Sequence, residues 1–266
     1  MKQLYCIPNI SQINSYLNFS KGNNAGFEYN DFFLPDFLDD EKKVQDRIDF
    51  YCNLDRDRSE DTLHGAFLDL CVNSSDSLIY RVSDYRIRQS MDIAQKLGVK
   101  AVIFHTNHIP NFRLSSYREG WLLENTKYWK KLLKDYPNLS IYIENMFDEE
   151  PELLRKLAEN MKDEPRFAVC LDLAHAFISS SPIEQWLEEV GPYAAHLHIN
   201  DNNRFEDTHH PVGSMNFPWE KYEKYIHSLA ENARPTVLVE VRGYEDLEAS
   251  VSYMKKQGLY PFSSLL

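Results

Sequence analysis

Residues 167–175 read FAVCLDLAH. A short apolar run ends in Asp172, and His175 follows three residues later. The run has the length and composition of a strand buried on both faces. Such a strand has no use for an acid at its end unless something there binds it, because a buried charge is unfavourable without a partner. Five more runs repeat the arrangement: DTLHGAF (61–67, with His64), AVIFHTN (101–107, His105), LSIYIENM (139–146, Glu144), AAHLHIND (194–201, His198) and TVLVEV (236–241, Glu240). Six strands delivering His, Asp and Glu at their ends suggest a metal centre.

Working outward, strands are predicted near 3–7, 25–29, 61–66, 101–106, 139–145, 167–172, 194–199 and 236–241. Helical patterns fill the gaps near 40–53, 83–97, 118–135, 151–162, 183–190, 219–232 and 245–257, and 10–20 reads as a poor or short helix. In 83–97 the residues Tyr85, Ile87, Met91, Ile93, Ala94 and Leu97 recur at helical spacing, and Gly98 follows as a cap. Pro151 reads as a first-turn proline. Eight strands alternating with helices over 266 residues give an α/β fold, a (β/α)8 TIM barrel in a single domain over 1–266. An open doubly wound sheet is the alternative, but it normally places a Gly-rich turn after its first strand, and none is present. In a barrel the strand C-terminal ends face one mouth, so every ligand type above is expected there.

Composition narrows the classes. No apolar stretch approaches a membrane span, and MKQLYCIPNI has no signal-peptide core, so a cytoplasmic protein is expected. Cys6, Cys52, Cys71 and Cys170 are far apart with no CxxC, which reads as reduced and mostly buried thiols. A net charge of −12 argues against a nucleic-acid partner without excluding a local basic groove. The 16 Tyr and 15 Phe permit a homo-oligomer interface but do not locate one.

Glu144, Asp172 and Glu240 are each the first charge after an apolar run. One alone also fits a helix N-cap or a buried ion pair; three at equivalent barrel positions point to a site. In DTHHPVG, Asp207 and His209 stand at i and i+2, which in extended backbone point the same way. His196 reads as a core or supporting histidine one layer below His198, His210 as pointing away, and His108 and His227 as structural. The expected ligand set is His64, His105, Glu144, Asp172, His175, His198, Asp207, His209 and Glu240. Mixed N/O donors without Cys suit zinc, manganese, magnesium or cobalt, and nine are too many for one ion. One to three ions per chain are expected.

LHGAF, IFHTN, IEN, LDLAH, HIND, DTHHPVG and VEV, in this order over about 60–258, resemble the xylose isomerase-like TIM barrels. These include endonuclease IV and the sugar and sugar-phosphate isomerases and epimerases. The resemblance to endonuclease IV implies three zinc ions on the nine residues, with Glu144 bridging two. The resemblance to ketose epimerases implies one divalent ion on Glu144, Asp172, His198 and Glu240. It also makes Glu144 and Glu240 the acid/base pair, with His175 and Arg204 contacting substrate oxygens. DTHHPVGSMNFPW resembles a D-x-H-x-P-x-G-x-G turn with Met215 at the final glycine.

Two chemistries follow. A metal-dependent isomerase or epimerase of a small sugar or sugar phosphate suits a mouth whose loops carry Asp36, Asp39, Asp40, Asp148, Glu149, Glu150, Asp201 and Glu206 against few basic residues (Arg81, Arg113, Arg118, Arg204). Trp121, Phe112, Phe205 and Trp219 are candidate apolar walls, with core packing the competing role. A zinc-dependent phosphodiester hydrolase (AP endonuclease family 2) is the alternative, favoured by the full ligand set. A non-catalytic barrel would be marked by loss of Glu144 or Glu240, and both are present.

Overall fold

The computed structural model describes residues 2–262. Eight strands close into a parallel barrel in chain order: Leu4–Cys6 (β1), Gly26–Tyr29 (β2), Thr62–His64 (β3), Ala101–His105 (β4), Ser140–Glu144 (β5), Phe167–Asp172 (β6), Ala194–Ile199 (β7) and Thr236–Val239 (β8). β1 pairs with β8, with Tyr5 opposite Leu238, and so completes the ring. The helices between them are Ile13–Asn23 (α1), Pro35–Leu38 (α2), Glu41–Cys52 (α3), Ser77–Leu97 (α4), Ser115–Asp135 (α5), Glu152–Asn160 (α6), Leu173–Ile178 (α7), Ile183–Glu189 (α8), Trp219–Ser228 (α9) and Tyr244–Gln257 (α10). The expected (β/α)8 barrel is the observed fold. All five residues of β4 are buried, as two-sided covering of a parallel sheet requires.

The helix ends differ from expectation for local reasons. The weak segment at 10–20 holds a 3-10 turn, Ile10–Gln12, and most of α1, an 11-residue helix that runs on to Asn23, buries only Tyr16 and Phe19 and so carries little apolar periodicity. α4 begins six residues early, at Ser77, because the Asp76 carboxylate accepts the Leu78 N–H at 2.7 Å and caps it. Its N-terminal half exposes Leu78, Ile79, Val82 and Tyr85, so Tyr85 is a surface residue and not part of the buried stripe. Ile87, Met91, Ile93, Ala94 and Leu97 are buried as expected, and Gly98, at φ 73°, donates its N–H to the Ala94 and Gln95 carbonyls. Pro151 lies one residue before α6. α9 stops at Ser228, where Leu229 turns extended, and a separate 3-10 turn spans Glu231–Ala233.

Chain neighbourhoods divide the molecule into two compact units. The first takes the chain up to Phe27, the span Phe147–Pro151 and everything from Val169 on; the second takes Glu28–Met146 and Glu152–Ala168. The first unit's core includes Leu171, Leu197, Leu238 and Tyr5, whose ring meets His196 edge-on. The second unit's core includes Leu63, Ile103 and Ile141 with the packed rings of Tyr29 and Tyr51. None of the four cysteines is in a disulfide; Cys6 and Cys170 are buried, whereas Cys52 and Cys71 are part-exposed. Among the described residues no helix is long and apolar enough to cross a membrane.

Candidate functional site

In the second unit three candidate ligands stand at the last residues of three adjacent strands. His105 of β4 is directly opposite Glu144 of β5, and His64 of β3 is opposite Ile103. Residues 103 and 105 share a face, so the alternation of the pleat turns all three side chains to one side. All three are buried. The Nε2 atoms of His64 and His105 lie 3.6 and 3.4 Å from Glu144 Oε2. The opposite ring nitrogens face carbonyls: His64 Nδ1 lies 3.1 Å from Gly65 O, and His105 Nδ1 lies 3.4 Å from Phe67 O. A carbonyl can only accept, so the proton of each neutral ring belongs on Nδ1 and both Nε2 lone pairs point at a carboxylate oxygen. Backbone carbonyls holding metal-binding imidazoles in this tautomer are a recurring support for metal sites. A cation at the convergence of these acceptors removes their repulsion, and the donor set fits a divalent ion.

The first unit builds its group differently. Asp172, the last residue of β6, is opposite His198 of β7, and its Oδ1 accepts the His175 N–H at 2.6 Å, capping α7. The capping explains why LDLAH turns straight from strand to helix. His198 is opposite Leu238 of β8; Glu240, two residues on, keeps the same face through its N–H bond to Ile199 O. β8 itself ends at Val239, so Glu240 is the first residue beyond it. His198 Nδ1 is 3.2 Å from Glu240 Oε2.

Asp207 and His209 are brought together, though not by extended backbone. His209 has φ 50°, so a left-handed turn, not strand alternation, aims its ring. Its Nε2 lies 3.0 Å from Asp207 Oδ2, and His175 Nε2 lies 3.3 Å from the same oxygen. His209 Nδ1 is 3.2 Å from the Glu240 carbonyl. Burial alone would raise the Asp207 pKa, but hydrogen bonds from His175 and His209 hold the carboxyl well below its usual range. For His209 burial works downward and is outweighed by the bond to Asp207 and the charges of Glu240, Asp207 and Asp172, which push it up to about 9. His209 Nδ1 also lies 3.3 Å from Asn200 Nδ2, so the ring has a carboxylate at Nε2 and a mixed setting at Nδ1, an arrangement that a cation at Nε2 would suit. Asp207 Oδ1 is buried with no hydrogen-bond partner, a further sign that this group fits a cation.

The other histidines have different surroundings. His196 is fully buried with Nδ1 2.6 Å from Thr236 Oγ1. His210 is exposed, its backbone bridged to Asp201. His108 packs against Tyr117 and Trp121, and His227 pairs with Glu223 on α9. Arg204 is exposed, with its guanidinium over the Phe177 ring. Trp121 and Trp219 are core residues, whereas Phe112 and Phe205 are exposed.

The acidic rim is thinner than the sequence suggested. Asp201 and Asp148 are buried, Asp39 pairs with Arg86, and Asp40 caps α3. The sequence places Asp201 on the rim, whereas it is fully buried. It accepts N–H groups from the loop that carries Asp207 and His209. Three polar residues in a row, Asn200-Asp201-Asn202, directly after a buried strand were the available signal. Met215, at the expected glycine, needs no positive φ and donates its N–H to Asp201.

The model of the xylose isomerase-like TIM barrel family matches residues 21–257. An uncharacterized protein of Methanocaldococcus jannaschii is 25% identical over 205 residues, 73% of this chain and 76% of that protein. Fructoselysine 3-epimerase of Shigella flexneri is 24% identical over 168 residues, 57% of this chain and 56% of the enzyme's length. Among solved structures, a protein from Thermus thermophilus soaked with zinc chloride superposes with a TM-score of 0.74 at 22% identity, covering 99% of this chain and 100% of that one.

Proposed function

This chain belongs to the xylose isomerase-like TIM barrel family, and we propose that it is a divalent-metal-dependent isomerase or epimerase of a sugar or sugar phosphate. The observation that carries the reading is a pair of carboxylates backed by imidazoles, Glu144 at the end of β5 beside His64 and His105, and Glu240 just past β8 beside His198. Residues at strand C-terminal ends share a barrel's mouth, which is where TIM-barrel enzymes do their chemistry. The similarity to a sugar epimerase supports the substrate class.

Glu144, Asp172, His198 and Glu240 would hold the ion. When bound, it would polarise the substrate carbonyl and make the neighbouring C–H more acidic. One of Glu144 and Glu240 takes the proton from that carbon and the other returns one to its opposite face, the two-base requirement of an epimerisation. His175 and Arg204 hold substrate oxygens. The buried setting of Glu144 keeps bulk water from competing for the proton.

A second reading has its own observation. A single-ion epimerase leaves His64, His105, Asp207 and His209 spare, yet both groups converge acceptors as ligands do. A zinc-dependent phosphodiester hydrolase would use them all. Metal content of the unchelated protein, followed by solvent-deuterium exchange into ketoses and their phosphates, tests the choice. About one ion per chain with deuterium incorporation is expected. Several zinc ions, no exchange and cleavage of abasic DNA would replace the isomerase with the hydrolase.

A further inference from the structure

Asp201 is fully buried two residues past the end of β7. Its charge is met entirely by N–H donors. Oδ1 accepts from Asn202 N at 3.0 Å and Phe217 N at 2.9 Å. Oδ2 accepts from Gly213 N and Met215 N at 3.1 Å each and from Trp219 Nε1 at 3.2 Å. Its own backbone exchanges two 2.9 Å hydrogen bonds with His210. One carboxylate thus fastens points from 202 to 219, the span in which Asp207 and His209 lie. Hydrogen bonds to a carboxylate are stronger than neutral ones, and each donor here would otherwise be stranded or solvated.

The neighbours of Asp201 continue the work. Asn200 Nδ2 lies 3.3 Å from His209 Nδ1. Asn202 donates to the Ala174 carbonyl at 3.1 Å, on the helix that carries His175. Both are buried. Ser250 of α10 holds the far side of the loop through the Val212 N–H at 3.0 Å.

We infer that Asp201 is the positioning residue for the Asp207–His209 pair. It replaces, for a loop, the rigidity that a β-ladder gives the strand-end ligands. Its value to metal binding rests on the metal-dependent reading above; its hold on His209 does not. Asparagine at this position keeps the shape but turns an NH2 toward at least two N–H donors, which releases part of the loop.

The test uses the whole chain with histidines labelled with nitrogen-15, metal-free, with His209 assigned through His209→Gln. In Asp201→Asn the His209 ring signals are expected to shift or broaden, while those of His196, hydrogen-bonded to Thr236, stay in place. Titration with cobalt(II) alone is expected to show binding weakened by no more than about tenfold, the low end of the effect of losing an outer support. Unchanged His209 signals overturn the inference whatever the metal does. Movement of His196 together with His209 also overturns it, by making Asp201 a general stability element. A His209 shift with unaltered cobalt affinity would remove the link to metal. A His209 shift when even the unaltered protein takes up no cobalt would uphold the positioning role and sink the metal-dependent reading. Should Asp201→Asn fail to fold, Trp219→Phe removes one of the five donors and is expected to give the same pattern, with affinity down about two- to threefold.

Discussion

Two groups of candidate ligands are held in place by unlike means. His64, His105 and Glu144 are terminal residues of paired strands, and the ladder that forms the barrel also aims them. Asp207 and His209 lie in a loop and depend on a buried carboxylate, a left-handed residue and a glycine. A strand-borne ligand is therefore as rigid as the fold. A loop-borne ligand needs a polar scaffold of its own, and that scaffold can fail while the barrel survives.

The largest expected effect falls on the carboxylates. Glu144→Gln and Glu240→Gln should each reduce turnover by about 10^2- to 10^4-fold, the range for removing an acid/base group, with an unchanged far-UV circular dichroism spectrum. Normal turnover in either variant would take that residue out of the chemistry.

Metal removal should come next. If ions occupy their sites at about a hundred times the dissociation constant, chelation should cost about 2.7 kcal/mol and lower Tm by about 5–10 °C. A melting curve indifferent to chelator would break the metal reading in both regions at once.

The comparison itself is sharpened by His105→Ala against Asp207→Asn. If one ion serves an epimerase, both should retain it with affinity reduced by no more than about tenfold. A drop of a whole ion in either, read by mass spectrometry of metal content, would show that its group holds metal directly and would favour the hydrolase.

The smallest effect separates two glycines. Gly213 has φ 81°, and a Cβ there would come within 2.3 Å of the Tyr253 ring. Gly258 has φ 66° with nothing within 4 Å of the same position. Gly213→Ala should cost about 2–3 kcal/mol and Gly258→Ala about 1 kcal/mol, measured by urea unfolding. Equal costs would mean that the loop yields to Tyr253 and is less tightly held than its hydrogen bonds imply.

The barrel was legible because its strands are continuous apolar runs, and the ligand types were legible because a charge at the end of such a run is conspicuous. The same logic misread Tyr85, whose helical spacing continues the buried stripe of α4 although its ring is exposed; that half is covered on another side, where Ser83 is buried and Tyr80 meets the Tyr128 ring. It passed over α7, since six residues beginning directly after β6 leave no room for a periodic pattern. It read Asp201 as rim charge, because four of its five donors are backbone N–H groups, which every sequence has and none displays. Asp207 and His209 were paired correctly on a mistaken premise: the positive φ of His209 does what extended backbone was expected to do.

The stretch from Asn200 to Trp219 carries both a pair of candidate ligands and the anchor that shapes them. Such a stretch can be handed from one barrel to another as a unit if a short set of outside partners is kept. These are a hydroxyl where Ser250 stands, a ring that tolerates Gly213 at close range, the Ala174 and Glu240 carbonyls, and His175 beside Asp207. Within a family of similar barrels, metal number would then be a property that loops can gain or lose while the strands, and the acids at their ends, stay as they are.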